Sequence, residues 1–93
     1  MQVNVFKPES LGTIEIFGTS LSTQTQALLI ALQECNVKYI HHPSMPNSPE
    51  IANFSPFGTI PVLVHRPNGI YSTRDAVVLF EMTAICQYLT VLV

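Results

Sequence analysis

Charge is scarce in this sequence. Four Lys and Arg and six Asp and Glu make up 11% of 93 residues, where about 25% is usual for a globular chain. With a net charge of −2 there is no basic stripe, so neither nucleic acid nor an anionic membrane surface is expected as a partner. Cysteine is scarce as well. Cys35 and Cys86 stand far apart and form no CxxC pair, which argues against a disulfide scaffold and against a dithiol redox protein. Each reads instead as a small buried hydrophobe in a reducing compartment. The opening MQVNVFKPES has no charged segment leading into an apolar one. No secretory leader is therefore expected, and the cytoplasm is the expected location. The neighbouring His41 and His42 have no third ligand at metal-site spacing. They read as strand-end surface, and no metal is expected.

Apolar runs of membrane length are also missing. The stretch AVVLFEMTAICQYLTVLV, Ala76 to Val93, comes nearest, but Glu81 and Gln87 interrupt it. An acid inside a span costs roughly 2.5–3.5 kcal/mol on insertion scales. A strand followed by a core helix explains the same letters, so a membrane anchor is disfavoured.

What is present is one small domain, 47% hydrophobic. That surplus of apolar residues suggests a face that meets a partner protein, a second copy or a further domain. Residues 1–12, with Pro8 and Gly12, read as a loose lead-in, and 13–93 as the domain. Thr13 to Phe17 alternates and ends at Gly18, the pattern of a strand and a turn. Hydroxyls at Thr19, Ser20 and Ser22 offer N-caps for the helix TQTQALLIALQEC that follows. Its nearly unbroken apolar middle, Ala27 to Leu32, predicts burial on more than one side. Asn36 reads as a left-handed stop.

Val37 to His41 predicts a second strand, parallel to the first across the helix. The proline-rich HPSMPNSPE is a surface loop, with one helical turn expected at Ile51 to Phe54. Pro61 to His65 is the third strand, and Asn68-Gly69 marks a hairpin turn. A return segment runs from Gly69, is interrupted by the polar Ser72 to Asp75, and becomes convincing strand only at Val77 to Phe80. From Glu81 on, Ala84, Ile85, Tyr88, Leu89 and Leu92 recur at helical spacing. The order βαβ, loop, ββα predicts an α/β fold of thioredoxin-like layout, a mixed sheet flanked by helices.

Two joined motifs make the assignment sharper. SPFGTIPVLV followed by LFEMTAICQYL resembles the N-terminal domain of cytosolic glutathione transferases, whose pattern is N-P-F-G-x-[IV]-P-x-L and then L-x-E-S-x-A-I-x-x-Y-L. IEIFGTSLSTQTQALLIALQECNVKY is similar to that family's first strand and helix, most nearly in its phi-like plant and fungal members. The resemblance spans about Thr13 to Leu89. It implies glutathione as co-substrate and a small electrophile as second substrate. It also implies an all-helical C-terminal domain, which is not expected in a chain ending at Val93, so a truncated transferase is one expectation.

By resemblance, the Ile60-Pro61 bond is cis, and the backbone of Ile60 pairs antiparallel with the cysteinyl part of glutathione. Thr59 stands where phi-like members usually have glutamine. Ser22, at the N-terminus of the first helix, matches the catalytic serine, whose hydroxyl stabilises the glutathione thiolate. On residue chemistry alone it reads as a plain N-cap, with Ser20 as competitor. Glu81 matches the family's acid at the third helix, but Met82 stands where the family has serine. Methionine donates no hydrogen bond, so the γ-glutamyl carboxylate is left with backbone N–H groups. One lost hydrogen bond to a charged group costs roughly 1.5–3 kcal/mol. The loop Pro43 to Glu50 carries no Lys or Arg, with His41 and His42 at its entrance. A transferase-like protein and a non-catalytic thioredoxin-like interaction module both remain open readings.

Overall fold

The computed structural model describes residues 12–70 and 73–92. Residues 1–11 of the lead-in read at 1–12, the Tyr71–Ser72 part of the return segment and Val93 lie outside the described residues. Seven elements follow in order: β1 (Thr13–Phe17), α1 (Thr23–Glu34), β2 (Ile40–His42), α2 (Pro49–Ala52), β3 (Val62–Arg66), β4 (Val77–Leu79) and α3 (Met82–Leu92). The four strands form one sheet in the order β2-β1-β3-β4. β1 pairs parallel with β2 and antiparallel with β3, and β3 pairs antiparallel with β4. This is the mixed sheet the sequence predicts, with parallel strands joined through a helix.

Alternation along the strands builds two cores. Ile14, Ile16 and Leu63 face α1 and α3, where they pack with Leu28, Leu32, Val37, Ile85 and Leu89. Phe17, Val62 and Val64 face the other way, onto Ile51 of α2. Since β1 and β3 are covered on both faces, they read as nearly continuous apolar runs. Glu15 is the exception in β1, and it is buried. Its Oε2 accepts from Arg66 Nε at 2.6 Å and its Oε1 from His42 Nε2 at 2.9 Å. A buried carboxylate needs such partners, and these two come from the strands on either side of β1. His42 also stacks on Phe17, with ring centroids 4.4 Å apart.

Several expectations need correction. α1 is buried along a single stripe, Thr25, Leu28 and Leu32, while Ile30 is 57% exposed. Its apolar middle therefore does not mean burial on several sides; one sheet and one helix cover only one ridge. Cys35 and Cys86 are both exposed, because Cys35 caps the end of α1 and Cys86 lines the open groove between α1 and α3. β2 starts three residues later than predicted. Val37 donates its N–H to Leu32 at 2.9 Å, so it closes the end of α1 instead of joining the sheet. Asn36 is the left-handed stop, with φ 58°. Helix α2 begins at Pro49, two residues before the predicted turn. Arg66 to Gly69 forms a hydrogen-bonded turn, Gly69 N–H to Arg66 O at 3.1 Å. The connection to β4 is nevertheless long, with β4 beginning only at Val77. No helix among the described residues is long and apolar enough to cross a membrane.

Candidate functional site

Strand direction gathers two helix N-termini and the Ile60-Pro61 turn at one edge of the sheet. β1, β2 and β4 run the same way, and β3 runs opposite. The ends of β1, β2 and β4 and the start of β3 therefore share one edge. The α1 N-terminus follows β1, the loop 43–48 follows β2, the Ile60-Pro61 turn precedes β3, and the α3 N-terminus follows β4. The carboxyl ends of strands are where open α/β sheets place their ligands.

Ser22 is the N-cap of α1, in extended conformation, and its Oγ accepts from Thr25 N–H at 3.3 Å. Its own N–H donates to Thr19 O at 3.1 Å, which makes the turn tight. Cap and donor are compatible roles. A hydroxyl has two acceptor lone pairs and one proton, and capping uses only a lone pair. Ser20 lies two residues before the cap and is exposed, so the helix start selects Ser22. Leu21, beside it, is 84% exposed.

The Ile60-Pro61 peptide is cis, as the resemblance implies. Ile60 is half-buried and packs against the second core, and Pro61 is buried. Among the described residues, nothing hydrogen-bonds the N–H or carbonyl of Ile60. Thr59 is exposed, yet its polar groups turn toward the buried Ser55. Thr59 N–H donates to Ser55 Oγ at 3.2 Å, and the two hydroxyls are 3.2 Å apart. Ser55 is the residue that sequence reasoning missed. It braces the loop from inside, and a serine before Pro-Phe-Gly looks in the sequence like ordinary loop polarity.

Helix α3 starts differently from the other two. Serines cap α1 and α2, with Ser48 Oγ accepting from Ile51 N–H at 3.4 Å. Glu81 precedes α3, and among the described residues only its carbonyl is engaged, accepting from Ile85 N–H at 2.9 Å. The N–H groups of Met82, Thr83 and Ala84 have no partner among the described residues, and such orphan donors favour an anion. The Met82 side chain is half-buried against the α1–α3 core.

His41 and His42 end β2 as partly exposed residues, and each has a partner. His41 Nε2 lies 2.6 Å from Gly18 O, and His42 Nε2 pairs with Glu15. Among the described residues no group of three or more His, Cys, Asp or Glu is placed to hold a metal ion.

Residues 21–91 match the family model for the N-terminal domain of glutathione S-transferases. The chain belongs to this family. No curated protein sequence matches it. Among solved structures, the glutathione S-transferase N-terminal domain described here is similar to glutathione transferase F7 from Populus trichocarpa. Identity is 28% and the TM-score 0.63, over 83% of this chain and 34% of that one. It also shares its fold with glutathione transferase Omega 2S from Trametes versicolor, at 18% identity and a TM-score of 0.64, over 82% of this chain and 34% of that one. The same Trametes protein in complex with 2,4-dihydroxybenzophenone gives 19% identity and a TM-score of 0.61, over 82% and 36%. The chain thus spans about a third of the length of these transferases.

Proposed function

We propose that this domain binds glutathione and holds its sulfur as thiolate for attack on a small electrophile. The observation that carries the reading is the Ile60 backbone, whose N–H and carbonyl have no partner among the described residues, in a chain of this family. An extended peptide pairs with such an N–H and C=O as an added strand does. Glutathione laid along Ile60 would run between two helix N-termini. At one, the open N–H groups of α3 would receive the γ-glutamyl carboxylate. Thr59 and Glu81 flank these contacts. At the other, Ser22 would face the sulfur.

The chemistry then follows from the hydroxyl. A free thiol has its pKa near 8.5. A donated O–H bond and the α1 dipole favour the anion, so the thiol proton leaves to solvent and thiolate becomes the main form near neutrality. The thiolate attacks an electrophilic carbon, a C–S bond forms, and the leaving group departs with its electron pair. We read the chain as phi-like on Ser22, and as a cytoplasmic protein on its two unpaired cysteines.

The test is a calorimetric titration of the chain with glutathione, alongside Ser22→Ala. Saturable binding at millimolar affinity or better is expected in both, with thiolate ultraviolet absorbance of the complex reduced in Ser22→Ala. If the folded chain does not bind glutathione at all, the reading fails.

A second reading has its own observation. An apolar cavity of about 350 Å³ lies open between α1 and α3. A non-catalytic module would use this face for a partner protein or a second copy. Failure to bind glutathione, together with concentration-dependent self-association, would favour that reading.

A further inference from the structure

Gly18 is held from both sides by β2. Its N–H donates to His42 O at 3.0 Å, and its carbonyl lies 2.6 Å from His41 Nε2. A carbonyl cannot donate, so His41 Nε2 carries the proton in this contact. His41 is half-buried, which shields the bond from competing water. Gly18 is also wedged between the two halves of the candidate site. A Cβ there would lie 2.7 Å from Thr25 Oγ1, in the first turn of α1, and 3.5 Å from Ile60 Cβ. From Gly18 the chain reaches Ser22 through a turn closed by the Ser22 N–H to Thr19 O bond. A displacement of Gly18 therefore moves Ser22 relative to Ile60.

We propose that His41 is a positioning residue. Its Nε2–H bond to the Gly18 carbonyl fixes the turn that leads from the end of β1 to the Ser22 hydroxyl at the start of α1. The catalytic side of this inference rests on the proposed glutathione reading; the structural side does not. His41 touches neither reacting atom. It acts through Gly18, and no motif of the sequence points to it, because the contact crosses from β2 to the end of β1.

The experiment compares His41→Leu, which loses the donor, with His41→Gln, whose amide keeps one at similar reach. Two readouts are taken: amide hydrogen exchange at Leu21 and Ser22, and the pH titration of the thiolate absorbance of bound glutathione. In His41→Leu, exchange at Ser22 is expected to quicken about tenfold or more, the size expected when a bond worth ~1.4 kcal/mol is lost. The thiol titration is expected to move to higher pH. His41→Gln restores both toward the parent. The proposal is overturned if Ser22 exchanges no faster in His41→Leu. It is equally overturned if exchange quickens evenly across the chain and glutamine restores nothing, since that marks a merely structural histidine. A parent chain that binds no glutathione sinks the functional reading, and the ligand-free exchange comparison then decides the positioning claim alone.

Discussion

Thr25 carries a hydroxyl with nowhere to go. It is fully buried, and among the described residues its Oγ1 is the buried side-chain polar atom without a hydrogen-bond partner. Leaving such a group unpaired costs about 1–3 kcal/mol. Valine keeps the branched shape and has nearly the same helix propensity. Thr25→Val is therefore expected to stabilise the domain by about 1 kcal/mol, seen as a higher urea midpoint with unchanged slope. A lower midpoint would mean that the hydroxyl has a partner after all. Tyr88 is the opposite case. Its hydroxyl lies 2.6 Å from His65 Nδ1, and burial raises its pKa above the ordinary value of about 10. The folded chain then keeps a proton that the unfolded chain has lost, so this stabilisation is complete below about pH 10 and falls as pH rises through the folded value. Stability above pH ~10 should drop less steeply in Tyr88→Phe than in the parent. Equal slopes would sink the assignment.

At the scale of the element, α3 sets binding against folding. Met82 is its first residue and packs on the core beside Ile85 and Leu89. Serine there removes apolar burial, costing about 1–2 kcal/mol of stability. It also adds a donor at the helix start, where a hydrogen bond to a carboxylate is worth roughly 1.5–3 kcal/mol. Met82→Ser should thus lower the unfolding midpoint yet bind glutathione tenfold or more tighter. Unchanged affinity would mean that this position does not face the γ-glutamyl carboxylate. Elements were legible where their pattern is local. TIEIF before Gly18 and the helical recurrence of Ala84, Ile85, Tyr88 and Leu89 give β1 and α3 to within a residue. The two motifs were enough for the family and the cis turn. What stayed hidden was set by distant neighbours. Nothing near His41 says that its ring will reach Gly18, and nothing near Ser55 says that it will hold Thr59. The apolar run of α1 likewise says how much could be buried, not how much the sheet and α3 would cover.

At the scale of the whole molecule, the described residues leave an apolar surface open between α1 and α3. Ala27, Ala31 and Cys35 recur every fourth residue along α1, and Met82, Cys86 and Leu89 face them from α3, around a cavity of about 350 Å³. Few charges are available to break this surface, which ties the low charge content of the chain to its shape. Small side chains on the α1 wall leave room for an apolar group to approach the helix closely. Ala31 is exposed, so Ala31→Lys should change stability by no more than about 0.5 kcal/mol while placing a charge in the groove. A hydrophobic dye such as ANS is expected to fluoresce with the parent chain and several-fold less with Ala31→Lys, at the same unfolding temperature. Both Cys35 and Cys86 should also react with a thiol reagent in the folded state, and bound dye should slow them. If Ala31→Lys binds dye as the parent does, the exposed surface that matters lies elsewhere. Phe57 and Leu21, exposed at the candidate-site edge of the sheet, would be the place to look, and the apolar excess would then belong to the ligand end of the domain and not to its helical face.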